Sequence, residues 1–244
     1  MGDTADRYSR DIQQGDRGIA LDRILFFTDA VFAIAITLLV IDLTVRTVGA
    51  DGKELSTATI ATEMLQALPD YAAYVISFFV IGATWAAHHQ NFSLLARWDT
   101  ALKWVNLLLL LFVAFLPFPT RMLFSGDGDI QHVQYTFYAG TVLAIGLIQL
   151  WMWRVVRVRG LLDVDRVDRR IYRYEQRQIA VTPAVFGFGL VLEFTVGSPW
   201  SLYVWFLQVP LSFLAGRFEP REPEAAASQS KSRLRVRSRP ARRS

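Results

Sequence analysis

Arg23-Ile-Leu-Phe-Phe27-Thr28-Asp29-Ala-Val-Phe-Ala-Ile34-Ala-Ile-Thr37-Leu38-Leu-Val-Ile41-Asp42 is a nearly unbroken apolar run with a carboxylate set inside it. Hydrocarbon offers no partner to backbone N–H and C=O groups, so a segment crossing it must be a helix or a strand of a closed barrel. Barrel strands are about ten residues long and alternate in polarity, whereas this run is continuous and about twice that length, as a membrane-spanning helix requires. It is read as a helical span over 24–45, and no Pro or Gly interrupts it from Ile24 to Val45.

Runs of the same kind recur near 70–90, 102–120, 134–155, 178–196 and 199–216, within a chain that is 52% hydrophobic. The expected fold class is therefore an all-α integral membrane protein with six transmembrane helices. The charges orient it. Six spans put the N-terminus, two loops and the C-terminus on one side with 23 Lys and Arg, against 3 on the other (Arg46, Lys53 and Arg121). Basic residues accumulate on the cytoplasmic side, so both termini are expected to be cytoplasmic. The domain reading follows: 1–23 a cytoplasmic N-terminal segment, 24–217 a six-helix transmembrane domain, and 218–244 a basic cytoplasmic tail too polar to bury a core. The first span is read as retained, because its preceding residues are mixed in charge and no small-x-small cleavage pattern follows. Basic residues flank apolar spans, which points to a lipid bilayer as partner and not to nucleic acid.

Asp29 demands an explanation. A charge at the centre of a membrane helix costs about 2.5–3.5 kcal/mol on insertion scales. With Asp22 as the cap, Asp29 lies about two turns inside the helix. If Thr28 and Asp29 themselves formed the cap, only about 16 residues, roughly 24 Å, would remain for a core of about 30 Å. Downstream, Ile34, Thr37 and Ile41 share one helical stripe, with Leu38 beside it. By periodicity alone, such a stripe more often packs or faces lipid than lines a pore.

The Arg23, Phe27, Thr28, Asp29 pattern and the Ala-Val-Phe-Ala-Ile-Ala-Ile-Thr-Leu-Leu-Val run after it resemble the first helix of the transmembrane protein 175 family of potassium-permeable channels. That family carries Ser where this chain has Thr28, a change that keeps the hydroxyl. The resemblance continues through Trp85-Ala-Ala-His88-His89-Gln-Asn-Phe92 and Phe115-Leu-Pro117-Phe-Pro119-Thr120, covering the first half of the chain; the second half matches only in hydropathy and helix number. The resemblance implies a homotetramer in a prokaryotic plasma membrane that passes potassium ions through a pore lined by four copies of the first helix. It places Ile34 at a hydrophobic constriction, Ile41 at a second apolar layer with Leu38 bordering, and Thr37 at a selectivity position. It also implies a structural polar network of Arg23, Phe27, Thr28 and Asp29 with Trp85, His88 and His89, in which Arg23 is expected to pair with Asp29.

Other signals carry less. Thr195-Val196-Gly197-Ser198 opens like a carbonyl filter but lacks its Tyr-Gly, and the connection holding it is too short to re-enter a membrane, so it is read as a turn. His88 and His89 are adjacent and point about 100° apart on a helix, which gives no metal site. No nucleophile–base pair, phosphate loop or zinc motif is visible, so neither an enzyme nor a bound cofactor is expected. Glu193 lies late in the fifth span without an assigned role. The rival function is a secondary transporter using Asp29 as a coupling carboxylate, although such proteins favour broken helices and internal repeats.

Overall fold

The computed structural model describes residues 2–41, 43, 47–48, 54–123, 129–164, 167–197 and 200–217; side chains are described from Asp22 onward, excepting those of Asp129, Trp200, Ser201, Leu202 and Val209. The tail 218–244 and the loop residues Arg46 and Lys53 lie outside these. The chain runs through α1 (Gly2–Ile41), α2 (Thr57–Gln66), α3 (Leu68–Ser93), α4 (Thr100–Phe115), α5 (Pro117–Met122), α6 (Asp129–Val158), α7 (Arg169–Thr195), α8 (Trp200–Trp205) and α9 (Gln208–Gly216). Only isolated bridges, and no strands, occur among the described residues.

Among the described residues, five segments are long and apolar enough to cross a membrane: Asp22–Ile41, Leu68–Ser93, Thr100–Met122, Ile130–Val158 and Arg169–Thr195. They coincide with the first five expected spans. The expected sixth, 199–216, is instead divided between α8 and α9, with a shorter apolar helical stretch over Tyr203–Gly216. The protein is thus a helical, multi-pass membrane protein.

Local chemistry sets the helix ends. Asp99 caps α4 by accepting the Leu102 N–H at 2.8 Å, and Asp168 caps α7 by accepting from Arg170 and Ile171, both at 2.8 Å. Pro117 lacks the N–H that would continue α4, so the chain turns at Leu116 and restarts as α5. Gly197, at φ 83°, closes α7 by donating its N–H to Leu192 O at 3.0 Å. The filter-like quartet therefore begins at a helix terminus, with the Thr195 hydroxyl donating to Val191 O. Asp22 caps nothing: α1 passes through it unbroken and holds Asp29 in mid-helix.

α6 and α7 form the broadest helix pair. Gly146 of α6 meets Pro183 of α7 so closely that a Cβ at 146 would lie 2.6 Å from the proline Cδ. Tyr138 is fully buried nearby, its ring 5.2 Å from Trp205 and its hydroxyl 3.0 Å from Ser77 Oγ. Thr120 donates to the same Ser77 oxygen at 2.9 Å, joining α3, α5 and α6. At the opposite end, the α3–α4 and α6–α7 loops are stitched by Ala96 N to Leu161 O (2.9 Å) and Asp163 N to Leu94 O (3.0 Å).

α1 packs on α3, α4 and α5 through a single stripe, Thr28, Phe32, Ala35 and Leu39, all buried. Its opposite face is uncovered in one chain.

The α6–α7 contact sets an expected outcome. Gly146→Ala forces two helices apart, a cost of about 1–3 kcal/mol by overpacking, and should lower the thermal midpoint in detergent. Gly140→Ala, where nothing lies within 4 Å, should leave it unchanged or raise it slightly. Equal effects from the two substitutions would contradict the close-contact account.

Candidate functional site

The site is the pore-helix candidate α1 and the side chains that fix its rotation. Thr28 and His88 are both at 0% exposure, and between them stands Asn106 of α4, at 2%. Asn106 Nδ2 donates to Thr28 Oγ1 at 3.0 Å. Its Oδ1 is thereby turned to His88, whose Nε2 donates to it across 2.8 Å. The imidazole is stacked on Phe92 at 4.1 Å and tilted against Phe32 at 5.8 Å, so its plane is fixed by packing as well. Three helices, α1, α3 and α4, thus meet in a single chain of buried hydrogen bonds.

A second contact lies beside it. The Trp85 indole Nε1 donates to Asp29 Oδ1 at 2.8 Å, tying α3 to α1 at the residue after Thr28 and about one turn before His88. His89 leans on that indole, ring centres 5.6 Å apart. The structure therefore brings Thr28 and His88 together through Asn106, and Asp29, Trp85 and His89 into one contact group.

Arg23 and Phe27 stand apart from both. Arg23 is exposed, Phe27 is 53% exposed, and the expected pairing of Arg23 with Asp29 does not form within the chain. The cause is helical geometry. Six residues on a continuous helix separate the two side chains by about 9 Å along the axis and about 120° around it, so α1 cannot fold Arg23 back onto its own Asp29. The carboxylate takes the indole N–H instead.

Ile34, Thr37, Leu38 and Ile41 all lie on the face of α1 turned away from its own bundle, with Ile34 57% and Ile41 66% exposed. The Thr37 hydroxyl donates to Ile34 O at 2.9 Å, which leaves its oxygen lone pairs directed outward.

Asn106 was not singled out by sequence, although a lone amide within Val105-Asn106-Leu107 signals a buried partner, since polar side chains in a span are expensive. His132 and Glu193 were likewise not paired in advance. His132 Nδ1 lies 2.5 Å from Glu193 Oε1, joining the start of α6 to the end of α7 and giving the buried carboxylate a partner across the helix pair.

A membrane-embedded bundle that pins one helix by buried polar contacts, and leaves that helix an uncovered apolar face with a hydroxyl in it, has the design of a channel subunit. Known proteins agree. The family model described as "Endosomal/lysosomal potassium channel TMEM175" matches residues 23–117, a stretch holding every member of both contact groups. A potassium channel of Streptomyces collinus is 38% identical over 199 residues, covering 78% of this chain and 93% of that protein. One from Chamaesiphon minutus is 35% identical over 173 residues, covering 70% and 83%. The crystal structure of a lysosomal potassium-selective channel TMEM175 homologue from Chamaesiphon minutus superposes with a TM-score of 0.67 at 31% identity, over 80% of this chain and 98% of that one.

The chain belongs to the TMEM175 family, a family of ion channels and not of enzymes. The similarity also runs past the first half to which the sequence motifs limited it.

Removing the Asn106 amide strands a hydroxyl and an imidazole N–H, at about 1–3 kcal/mol for each unsatisfied group. Asn106→Leu should therefore lower the thermal midpoint in detergent more than Trp85→Phe, which frees only a partly exposed carboxylate. Melting curves followed by scattering decide it, and a reversed order would refute the junction role of Asn106.

Proposed function

We propose that this chain is a subunit of a homotetrameric, potassium-permeable channel in the plasma membrane of a prokaryote. Each subunit contributes six membrane segments, with α8 and α9 together making the sixth, and has both termini in the cytoplasm. Four copies of α1 line the pore. Ile34 forms the hydrophobic constriction, Leu38 and Ile41 continue the apolar lining, and Thr37 tunes selectivity. The permeating species is a potassium ion, and no cofactor takes part.

The observation that carries this reading is the rotation of α1. Thr28 and Asp29 are held against α3 and α4, and that fixed rotation turns Ile34, Thr37, Leu38 and Ile41 outward on one face. A ring of aliphatic side chains gates by size and dewetting. Thr37 oxygens, with their protons given to Ile34 O, face such a ring as acceptors suited to a partly dehydrated cation. The relatives named above are potassium channels, which supports the choice of ion. Orientation is supported by the basic residues: Arg97, Arg159, Arg169 and Arg217 lie at one end of the bundle, which is stitched by the loop contacts and by Tyr174 donating to Gly216 O at 3.2 Å. No observation favours a transporter, and the Asp29 carboxylate proposed to couple it is occupied as a hydrogen-bond acceptor.

Purified protein in liposomes under a potassium gradient tests the reading. Unitary currents are expected. Ile34→Asn should raise resting leak by wetting the constriction. Thr37→Ala should reduce potassium over sodium discrimination about fivefold, as expected for losing about 1 kcal/mol of ion contact. Saturable flux without current steps, or currents indifferent to both substitutions, would refute it.

A further inference from the structure

α7 is longer than the core of a bilayer is thick. Its 27 residues, Arg169–Thr195, span about 40 Å at 1.5 Å per residue, against a hydrocarbon layer of about 30 Å, or about 20 residues. Its far end is apolar, with Phe194 and Val196 exposed there, so the surplus falls at its start. Counted back from Thr195, about 20 residues reach Gln176. Arg177 therefore stands at the edge of the hydrocarbon, with Arg173 and Arg170 about 6 Å and about 10 Å further out along the axis, at the depth of lipid headgroups. All three are exposed and share one stripe of the helix, which continues through Ala184, Phe188 and Val191, exposed as well. Spacings of 3, 4, 7, 4 and 3 residues keep these six side chains within about 60° of one another around the helix.

Other arginines at this end of the bundle are answered within the chain. Arg159 pairs with Asp99 at 3.1 Å, Arg97 donates to Gly160 O at 3.0 Å, and Arg157 lies over the Tyr172 ring at 4.5 Å. The guanidinium groups of Arg170, Arg173 and Arg177 have no such partner among the described residues. The acids nearest in sequence do not serve them. The Asp168 carboxylate accepts the Arg170 and Ile171 N–H groups of the helix cap, and Glu175 is buried, on another face of α7, and engaged elsewhere. α7 packs chiefly on α6, α8 and α9, whereas α1 packs on α3, α4 and α5. A guanidinium at the hydrocarbon edge keeps its charge and its fork of N–H donors, which phosphate oxygens match in pairs. Three unopposed positive charges favour a net-negative headgroup over a zwitterionic one. We infer that the outward stripe of α7 binds an anionic phospholipid: Arg170, Arg173 and Arg177 take the headgroup phosphate, and an acyl chain lies along Ala184, Phe188 and Val191. The apolar continuation selects a lipid over free phosphate, because acyl-chain surface begins about two turns from Arg177. The inference needs the membrane-spanning fold and not the pore, since none of these residues lies on α1.

Native mass spectrometry of the full chain, released from detergent holding equal amounts of phosphatidylglycerol and phosphatidylcholine, tests this. Phosphatidylglycerol should be retained over phosphatidylcholine by about tenfold or more, and millimolar inorganic phosphate should not displace it. Replacing both Arg173→Gln and Arg177→Gln should lower that preference about tenfold. Lys103→Gln, which removes an exposed charge from α4 at the same end of the bundle, should leave it unchanged. Equal retention of the two lipids would overturn the inference, as would displacement by phosphate. An equal loss in Lys103→Gln would also overturn it, since diffuse charge would then suffice. So would an unchanged preference in the double variant, and a shift of its oligomer mass would then put a second copy of the chain on the stripe. If the double variant fails to elute as folded protein, Arg177→Gln alone decides by the same ratio, with an expected fall of about fivefold.

Discussion

A polar side chain deep in a membrane bundle has no water to fall back on, so it must be answered by another side chain, and the answer fixes geometry. Asn106 shows the consequence. Its amide has a donor end and an acceptor end, and each is claimed by a different helix: Thr28 on α1 and His88 on α3. Rotating α1 by one residue, about 100°, would strand the Thr28 hydroxyl and the amide N–H of Asn106 together. Apolar packing alone could not impose that rule, because Phe32, Ala35 and Leu39 would pack tolerably in neighbouring registers. The hydrogen bonds convert a greasy helix into one with a defined inside and outside.

From that constraint follows the division of α1 into two faces. The inward stripe carries Thr28 and the buried apolar residues; the outward one carries Ile34, Thr37, Leu38 and Ile41. The two stripes are about half a turn apart on the helix, so securing one determines where the other points. Trp85 reinforces the choice at the neighbouring residue by engaging Asp29, which otherwise would bear the cost of an intramembrane charge alone. The acid that invited a coupling role in the sequence is thus explained by anchoring.

Much of this was legible in sequence because membranes impose coarse rules. Five of the spans read from apolar runs appear as long helices among the described residues. Contacts between distant residues were harder. Thr28, Asp29, Trp85, His88 and His89 were picked out by motif, but the motif treats them as one set, whereas space sorts them into two contact groups, one of which is joined by a residue outside the motif. Asn106 sits in a leucine-rich run, where hydropathy averages its amide away. Arg23 erred in the other direction. Opposite charges in one motif suggest a pair, yet a spacing of six on a continuous helix forbids it, and the continuity past Asp22 was not visible from capping residues alone. The last span was misjudged in form, since hydropathy does not reveal a turn at Phe206 and Leu207.

The second half of the molecule explains why so slender an attachment suffices. α1 touches its own bundle along a single stripe, so the surface it docks on must not yield. α6 and α7 supply that stiffness through a contact that excludes any side chain at Gly146, and through Tyr138, Phe186 and Trp205 packed as a buried aromatic cluster. The Ser77, Thr120 and Tyr138 hydroxyls then connect this frame to α3 and α5, and α3 presents Trp85 and His88 to α1. The links through Ser77, Thr120 and Tyr138 and through His88 are buried polar contacts, while the Trp85 bond to Asp29 is partly exposed. α3 is therefore the element through which this frame holds α1, and with it the direction in which the outward stripe points.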